Sequence, residues 1–177
     1  MVKNSHEKKS HCHNTMNYTN ILIEGPDGAG KSTAVERIKN VLHWDAKSLH
    51  HQEGDQFLRY LREYALAEKI VFDRGHFSEE VYSCLWRGGS PFSPEEKQIL
   101  DQLCKTRFLV IFLNPGIEII KQRYRQRIFH QQIKNEELQQ SVDLFQQVME
   151  NHFYLFSALQ NYADLEHLVQ QVRGLVA

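Results

Sequence analysis

Cysteine is scarce in this chain. The three cysteines among 177 residues, Cys12, Cys84 and Cys104, show neither a disulfide-framework pattern nor a C-x-x-C spacing, so a reducing cytoplasm is the expected setting. Long apolar runs are missing too. The longest, Phe108 to Leu113, is far shorter than the roughly 20 residues a bilayer-spanning helix requires, and no signal-peptide core is present. No membrane partner is expected. Charge of one sign is not in excess: 21 Lys and Arg against 22 Asp and Glu leave a net charge of −1. Any basic site must therefore be local, and nucleic acid is not the expected partner. There is no internal repeat, and 41% hydrophobic residues suit one compact domain with a real core.

Residues 1–17 are polar, with His6, His11 and His13 around Cys12. No second ligand set at zinc-finger spacing follows, so the stretch reads as a disordered, inert tail ahead of a domain over residues 18–177.

The strongest signal is Gly25-Pro26-Asp27-Gly28-Ala29-Gly30-Lys31-Ser32, followed by Thr33, which matches G-x-x-x-x-G-K-[ST]. In this pattern, backbone N–H groups curl around phosphates, Lys31 reaches the β and γ oxygens, and the Ser32 hydroxyl ligates Mg²⁺. Its context fits. Residues 19–24 read as a buried strand, and Ala34, Val35, Ile38, Val41 and Leu42 recur at helical spacing behind the loop. The helix N-terminus adds its dipole to anion binding.

Residues 46–51 suggest a second strand, and Phe57, Leu58, Leu61, Ala65 and Leu66 a helix face. Residues 69–73 suggest a third strand, and Phe77, Val81 and Leu85 a short helix ending at the breaker Arg87-Gly88-Gly89-Ser90-Pro91. Ser93-Pro94-Glu95-Glu96 is a helix start with a capping serine, proline at the first position and glutamate at the third. Residues 107–113 read as a central strand buried on both faces. Helices are expected over residues 117–130, 136–156 and 164–172, the second carrying the core stripe Leu138, Val142, Phe145, Met149 and Phe153; a strand near residues 156–159 is weakly marked. Alternating strands and helices imply an α/β sheet covered on both faces.

Two further groups carry chemistry. Asp73-Arg74 ends the third strand, where a carboxylate can hold a magnesium shell and a guanidinium can grip a phosphate. Lys121, Arg123, Arg125 and Arg127 follow the central strand. Arg123 and Arg127 form one i, i+4 stripe and are the candidates for charge closing over a transferring phosphoryl group. Phe77, Tyr82 and Trp86 are candidates for stacking a base, with core packing expected for at least one of them.

These residues resemble the thymidylate kinase-like branch of the P-loop nucleoside and nucleotide kinases. The stretch from Ile23 to Thr33 is similar to its opening motif, Asp73-Arg74 with Ser78 and Tyr82 to its D-R-x-x-x-S-x-x-x-Y segment, and Pro115 with Arg123 and Arg127 to the segment leading into its lid. The resemblance implies a P-loop NTPase three-layer fold with a five-stranded parallel sheet of order 2-3-1-4-5 and a lid around residues 121–137. It also implies ATP and Mg²⁺ as cofactors, with a deoxynucleoside monophosphate, dTMP first, as acceptor. Asp27 would approach the acceptor sugar, Arg74 its phosphate, Asp73 the Mg²⁺ shell, and Arg123 with Arg127 the phosphoryl group.

The chain departs from thymidylate kinases after the second strand. Their Arg-Glu-Pro is replaced by His50-His51-Gln52-Glu53-Gly54-Asp55. Glu53 falls where the related deoxynucleoside kinases place a catalytic glutamate, so a deoxynucleoside kinase is the alternative, followed by a kinase of modified DNA bases. An ATP-dependent switch or binding module is the non-kinase alternative. The expected partner is a small nucleotide or nucleoside, with a homodimer left open.

Overall fold

Strand residues alternate between two apolar layers. Leu22, Phe72, Phe108, Val110 and Phe112 face one, while Ile21, Ile23, Val71, Leu109, Ile111 and Leu113 face the other. This period-2 alternation with both sets buried is what a sheet covered on both sides requires. The structure, a computed structural model, describes residues 18–126, 135–150, 152 and 155–176. The expected tail with its His-Cys-His cluster, Arg127, the centre of the expected lid and Phe153 lie outside the described residues.

The elements run β1 (Asn20–Glu24), α1 (Lys31–Leu42), β2 (Asp45–Ser48), α2 (Gln56–Leu66), β3 (Ile70–Asp73), α3 (His76–Trp86) and α4 (Pro94–Arg107). β4 (Phe108–Leu113), α5 (Ile117–Arg125), α6 (Asn135–Met149), β5 (Leu155–Ser157) and α7 (Tyr162–Arg173) complete them. The strands form one sheet in the order β2-β3-β1-β4-β5, every pair parallel. This is the order expected from the resemblance.

On one face, Tyr60, Tyr64, Phe77, Val81, Leu100 and Phe145 bring α2, α3, α4 and α6 onto the sheet. On the other, Ala34 and Ile38 of α1 meet Leu165, Leu168 and Val172 of α7. Each large buried side chain contributes about 1.5–3 kcal/mol, so either layer alone outweighs any surface ion pair. β2 is the exposed edge, and its charged Asp45 and Lys47 suit a strand that must not pair further. Among the described residues no helix is long and apolar enough to cross a membrane.

Several boundaries differ from expectation. α6 ends at Met149 instead of continuing to residue 156, because the chain there pairs with the free edge of β4, Ile111 opposite Leu155 and Leu113 opposite Ser157. β2 ends at Ser48, and residues 49–51 leave the sheet toward the site. α7 starts at Tyr162, ahead of the expected residue 164, because Asn161 and Asp164 form a capping box.

Candidate active site

Parallel strands place all their carboxyl ends on one side, and the candidate chemistry collects there. β1 runs into the phosphate loop, whose Gly25 has φ of +143°; a Cβ at this position would collide with the Leu113 carbonyl at the end of β4. Only glycine lets the loop pass so close. Lys31 Nζ donates to the carbonyls of Gly25 at 2.7 Å and Pro26 at 2.9 Å and lies 3.8 Å from Asp27. Burial, reinforced by the charge of Arg74, lowers its pKa to about 8 against the opposing pull of Asp27, Asp73 and Glu24.

The β1–β3 register sets Asp73 opposite Ile23 and thereby beside the loop. Ser32 Oγ donates to Asp73 Oδ2 at 3.1 Å, while Oδ1 is buried with no hydrogen-bond partner among the described residues. A buried carboxylate oxygen left bare is costly unless something positive meets it. With a hydroxyl beside it, this donor set fits Mg²⁺, which takes one or two protein oxygens and completes its shell with water and phosphates. Among the described residues no cluster of three His, Cys, Asp or Glu side chains offers a closed metal cage.

Arg74 follows with φ of +72°, a left-handed conformation that a non-glycine residue adopts at a cost. Its N–H donates to Ile23 O at 3.0 Å, its guanidinium pairs with Asp27, and its Cζ lies 5.1 Å from the centre of the Tyr82 ring. The strained turn aims Arg74 across the loop. Beneath it, buried Glu24 accepts from the Ser78 hydroxyl and, at 3.4 Å, from its N–H. Burial pushes the Glu24 carboxyl up to about 7, although Ser78 and the charges of Lys31 and Arg74 pull it down.

Asp27 and Arg74 open onto a cleft of about 160 Å³ between the loop, the chain after β2 and α3. Tyr82 lines it, its ring covered by Arg74 and by Trp86, which stacks on it at 4.9 Å and 14°. Trp86 is 51% exposed and offers the aromatic wall. Phe77 does not line the cleft, which corrects its assignment to substrate binding. It is 1% exposed and packs against His76 and His152 on the core side of α3. Glu53 is exposed and also outside the cleft lining, because the chain turns at Gly54 before Asp55 caps α2.

The arginine expected over the phosphoryl group has a different partner. Arg123 Nη1 donates to the carbonyls of Gly28 at 3.0 Å and Ala29 at 2.9 Å, and Nη2 donates to Leu159 O, so it ties the loop to the segment after β5. Tyr124 covers the loop beside it: a Cβ on Gly28 would come within 3.1 Å of that ring. Lys121 pairs with Glu118 and Arg125 is exposed.

The residues unread from sequence also line the cleft. Glu79 there pairs with His51 at 2.7 Å and Arg87 at 2.6 Å. The one signal for them was helical: Glu79, Ser83 and Arg87 are spaced by four on one face of α3. Arg87 was read only as the start of a breaker.

No protein-family model matches the sequence. The SPbeta prophage-derived uncharacterized protein YorR of Bacillus subtilis (strain 168) is 22% identical over 138 residues, 75% of this chain and 83% of YorR. The crystal structure of YorR in complex with phosphorylated GDP superposes with a TM-score of 0.77 at 19% identity, covering 88% of this chain and 96% of that one. Deoxyadenosine kinase from M. mycoides, with dCMP and dCDP bound, gives 0.62 at 15% identity over 87% and 98% of the two chains. Shikimate kinase from Acinetobacter baumannii, in complex with shikimate, gives 0.58 at 17% identity over 90% and 93%. The chain shares the fold of these proteins.

Proposed function

We propose that the protein is an ATP- and Mg²⁺-dependent kinase whose acceptor is a deoxynucleoside monophosphate, with dTMP the first to test. The observation that carries this reading is the juxtaposition at the strand ends: a phosphate loop with Lys31, a carboxylate with a bare oxygen at Asp73, and Arg74 reaching from that carboxylate to the mouth of a second cleft. Two neighbouring anion-binding groups serve two phosphates better than one. The nucleotide complexes of YorR and the deoxyadenosine kinase support a nucleotide ligand here as well.

In the proposed reaction, an oxygen of the acceptor phosphate bonds to the γ-phosphorus of ATP. The bond to the bridging oxygen breaks, and its electron pair leaves with ADP. An anionic acceptor needs no strong general base, so positioning and charge suffice. Lys31 and the loop amides hold the donor phosphates, and Arg74, supported by Asp27, orients the acceptor. Ser32 and Asp73 would hold Mg²⁺, which supplies charge neutralisation between the donor phosphates. Arg123 keeps the loop in shape, and Arg127 retains its proposed place over the phosphoryl group.

The second reading is a deoxynucleoside kinase, favoured by the likeness to deoxyadenosine kinase. A hydroxyl acceptor needs a base, and Glu53 lies outside the cleft. The experiment is ADP release from ATP and Mg²⁺ with dTMP, with thymidine and with no acceptor. Stimulation by dTMP is expected; stimulation by thymidine alone selects the second reading, and acceptor-independent hydrolysis across a wider nucleotide and DNA panel selects the switch.

A further inference from the structure

We propose that Tyr64, His76 and Asp101 are positioning residues for the acceptor: a hydrogen-bond chain across α2, α3 and α4 that fixes the turn at Arg74 and Gly75 and keeps the Arg74 guanidinium aimed at the cleft. This rests on Arg74 being the group that grips the acceptor.

The backbone at Arg74 is anchored on both sides. Its own N–H donates to Ile23 O at 3.0 Å, and two residues on, the His76 N–H donates to Tyr64 Oη at 3.0 Å. A left-handed φ of +72° at a non-glycine residue persists only where the surroundings over-determine it, and these two bonds bracket it. Between them, Gly75 lies against the same hydroxyl: a Cβ there would collide with Tyr64 Oη and with Leu22. Glycine has no side chain to cap α3, so the free N–H groups of the first turn are met from other elements. Tyr64 of α2 takes that of His76, and Glu24 of β1 takes that of Ser78.

The side chains continue the chain with a single polarity. Tyr64 Oη accepts the His76 N–H and has its own proton to give, and His76 Nδ1 lies 3.1 Å away to take it. The Cys104 thiol, 4.0 Å from the same nitrogen, is a weak second neighbour. Nε2 lies 2.8 Å from Asp101 Oδ1; an ionised carboxylate only accepts, so Nε2 carries the ring proton. His76 is fully buried, and burial favours the neutral ring this tautomer requires, although Asp101 pulls the other way. Asp101 is held in turn by Lys97, 3.4 Å from Oδ2, which also pairs with Glu80 of α3 at 2.9 Å; His152 approaches Oδ2 to 3.9 Å. An apolar side chain would fill this part of the core without desolvating an imidazole and a phenol. What the polar chain adds is direction. Its rigid rings set the start of α3 against α2 and α4 at the backbone atoms that adjoin Arg74.

The test is steady-state kinetics with ATP, Mg²⁺ and the best-used deoxynucleoside monophosphate, reading kcat/KM for the acceptor and KM for ATP separately, with melting curves alongside. Tyr64→Phe removes one hydroxyl and keeps the ring. Asp101→Ala removes the far acceptor, whereas Asp101→Asn keeps an oxygen for the Nε2 proton. Tyr64→Phe and Asp101→Ala should each lower acceptor kcat/KM by ~10-fold or more while KM for ATP stays within ~2-fold, and Asp101→Asn should recover most of the loss. Leu100→Ala, a core truncation on the same helix, should melt earlier without this split. A loss shared equally between acceptor and ATP, a split reproduced by Leu100→Ala, or Asp101→Asn as damaging as Asp101→Ala overturns the inference and leaves the acceptor reading intact. If Tyr64→Phe does not fold, the two variants at the partly exposed Asp101 decide. A wild type that uses no deoxynucleoside monophosphate overturns the acceptor reading instead, and the same split is then read with the acceptor it does use; a wild type with no acceptor overturns both.

Discussion

Ser32 and Asp73, 41 positions apart, meet through a 3.1 Å hydrogen bond that uses one carboxylate oxygen and leaves the other buried and bare. If that oxygen faces Mg²⁺, Asp73→Asn keeps the size and the serine contact but loses the charge. Turnover should fall ~100-fold or more while the far-ultraviolet spectrum is unchanged. An active, folded Asp73→Asn enzyme would remove Asp73 from the metal site.

Lys31 titrates at about 8 without a phosphate beside it, because burial disfavours its charge. A bound triphosphate favours the charged amine, so ATP binding near pH 8 should take up a fraction of a proton. Calorimetry in buffers of different ionisation enthalpy measures this uptake. Lys31→Ala should show none and should lose turnover; equal uptake in the variant assigns the proton elsewhere.

Arg74 separates donor from acceptor kinetics. Arg74→Ala should lower kcat/KM for the acceptor by ~100-fold and leave the KM for ATP near its original value. Arg74→Lys should recover only part of this, since an ammonium cannot form the guanidinium fork. Unchanged acceptor constants would count against a phosphate-gripping role.

Glu24 sets a pH dependence of stability. Its carboxyl titrates at about 7 in the fold against an ordinary 4.5. Between these values the folded chain holds a proton that the unfolded chain has released. Stability from this group is thus complete below the unfolded value and lost as pH rises through about 7. Glu24→Gln removes the titration, so from about pH 5 to about pH 8 the wild type should lose about 3 kcal/mol relative to the variant. Denaturant melts across that range check the sign, and parallel curves would exclude it.

Arg123 braces the loop through three carbonyls. Arg123→Ala should destabilise the fold by about 2 kcal/mol and raise the KM for ATP more than it lowers kcat. A pure kcat defect with unchanged melting would restore the direct role over the phosphoryl group.

The phosphate loop, the buried strands β1 and β4 and the serine-capped start of α4 were legible in the sequence by themselves, because each rests on local chemistry: glycine backbone freedom, a short continuous apolar run and a short-range capping box. The parallel order followed from family resemblance. Tertiary structure alone decided the rest. The end of α6 depended on the open edge of β4, which no local propensity encodes. Phe77 and Tyr82 both looked aromatic and available, yet the rotation of α3 against the sheet buried one and turned the other to the cleft. Arg123 carried the right charge in the right helix, but its partners are carbonyls from Gly28, Ala29 and Leu159, distant in sequence. Glu79 and Arg87 acquired meaning only when the chain after β2 brought His51 against them. Local patterns name the groups; long-range packing decides which of them face one another.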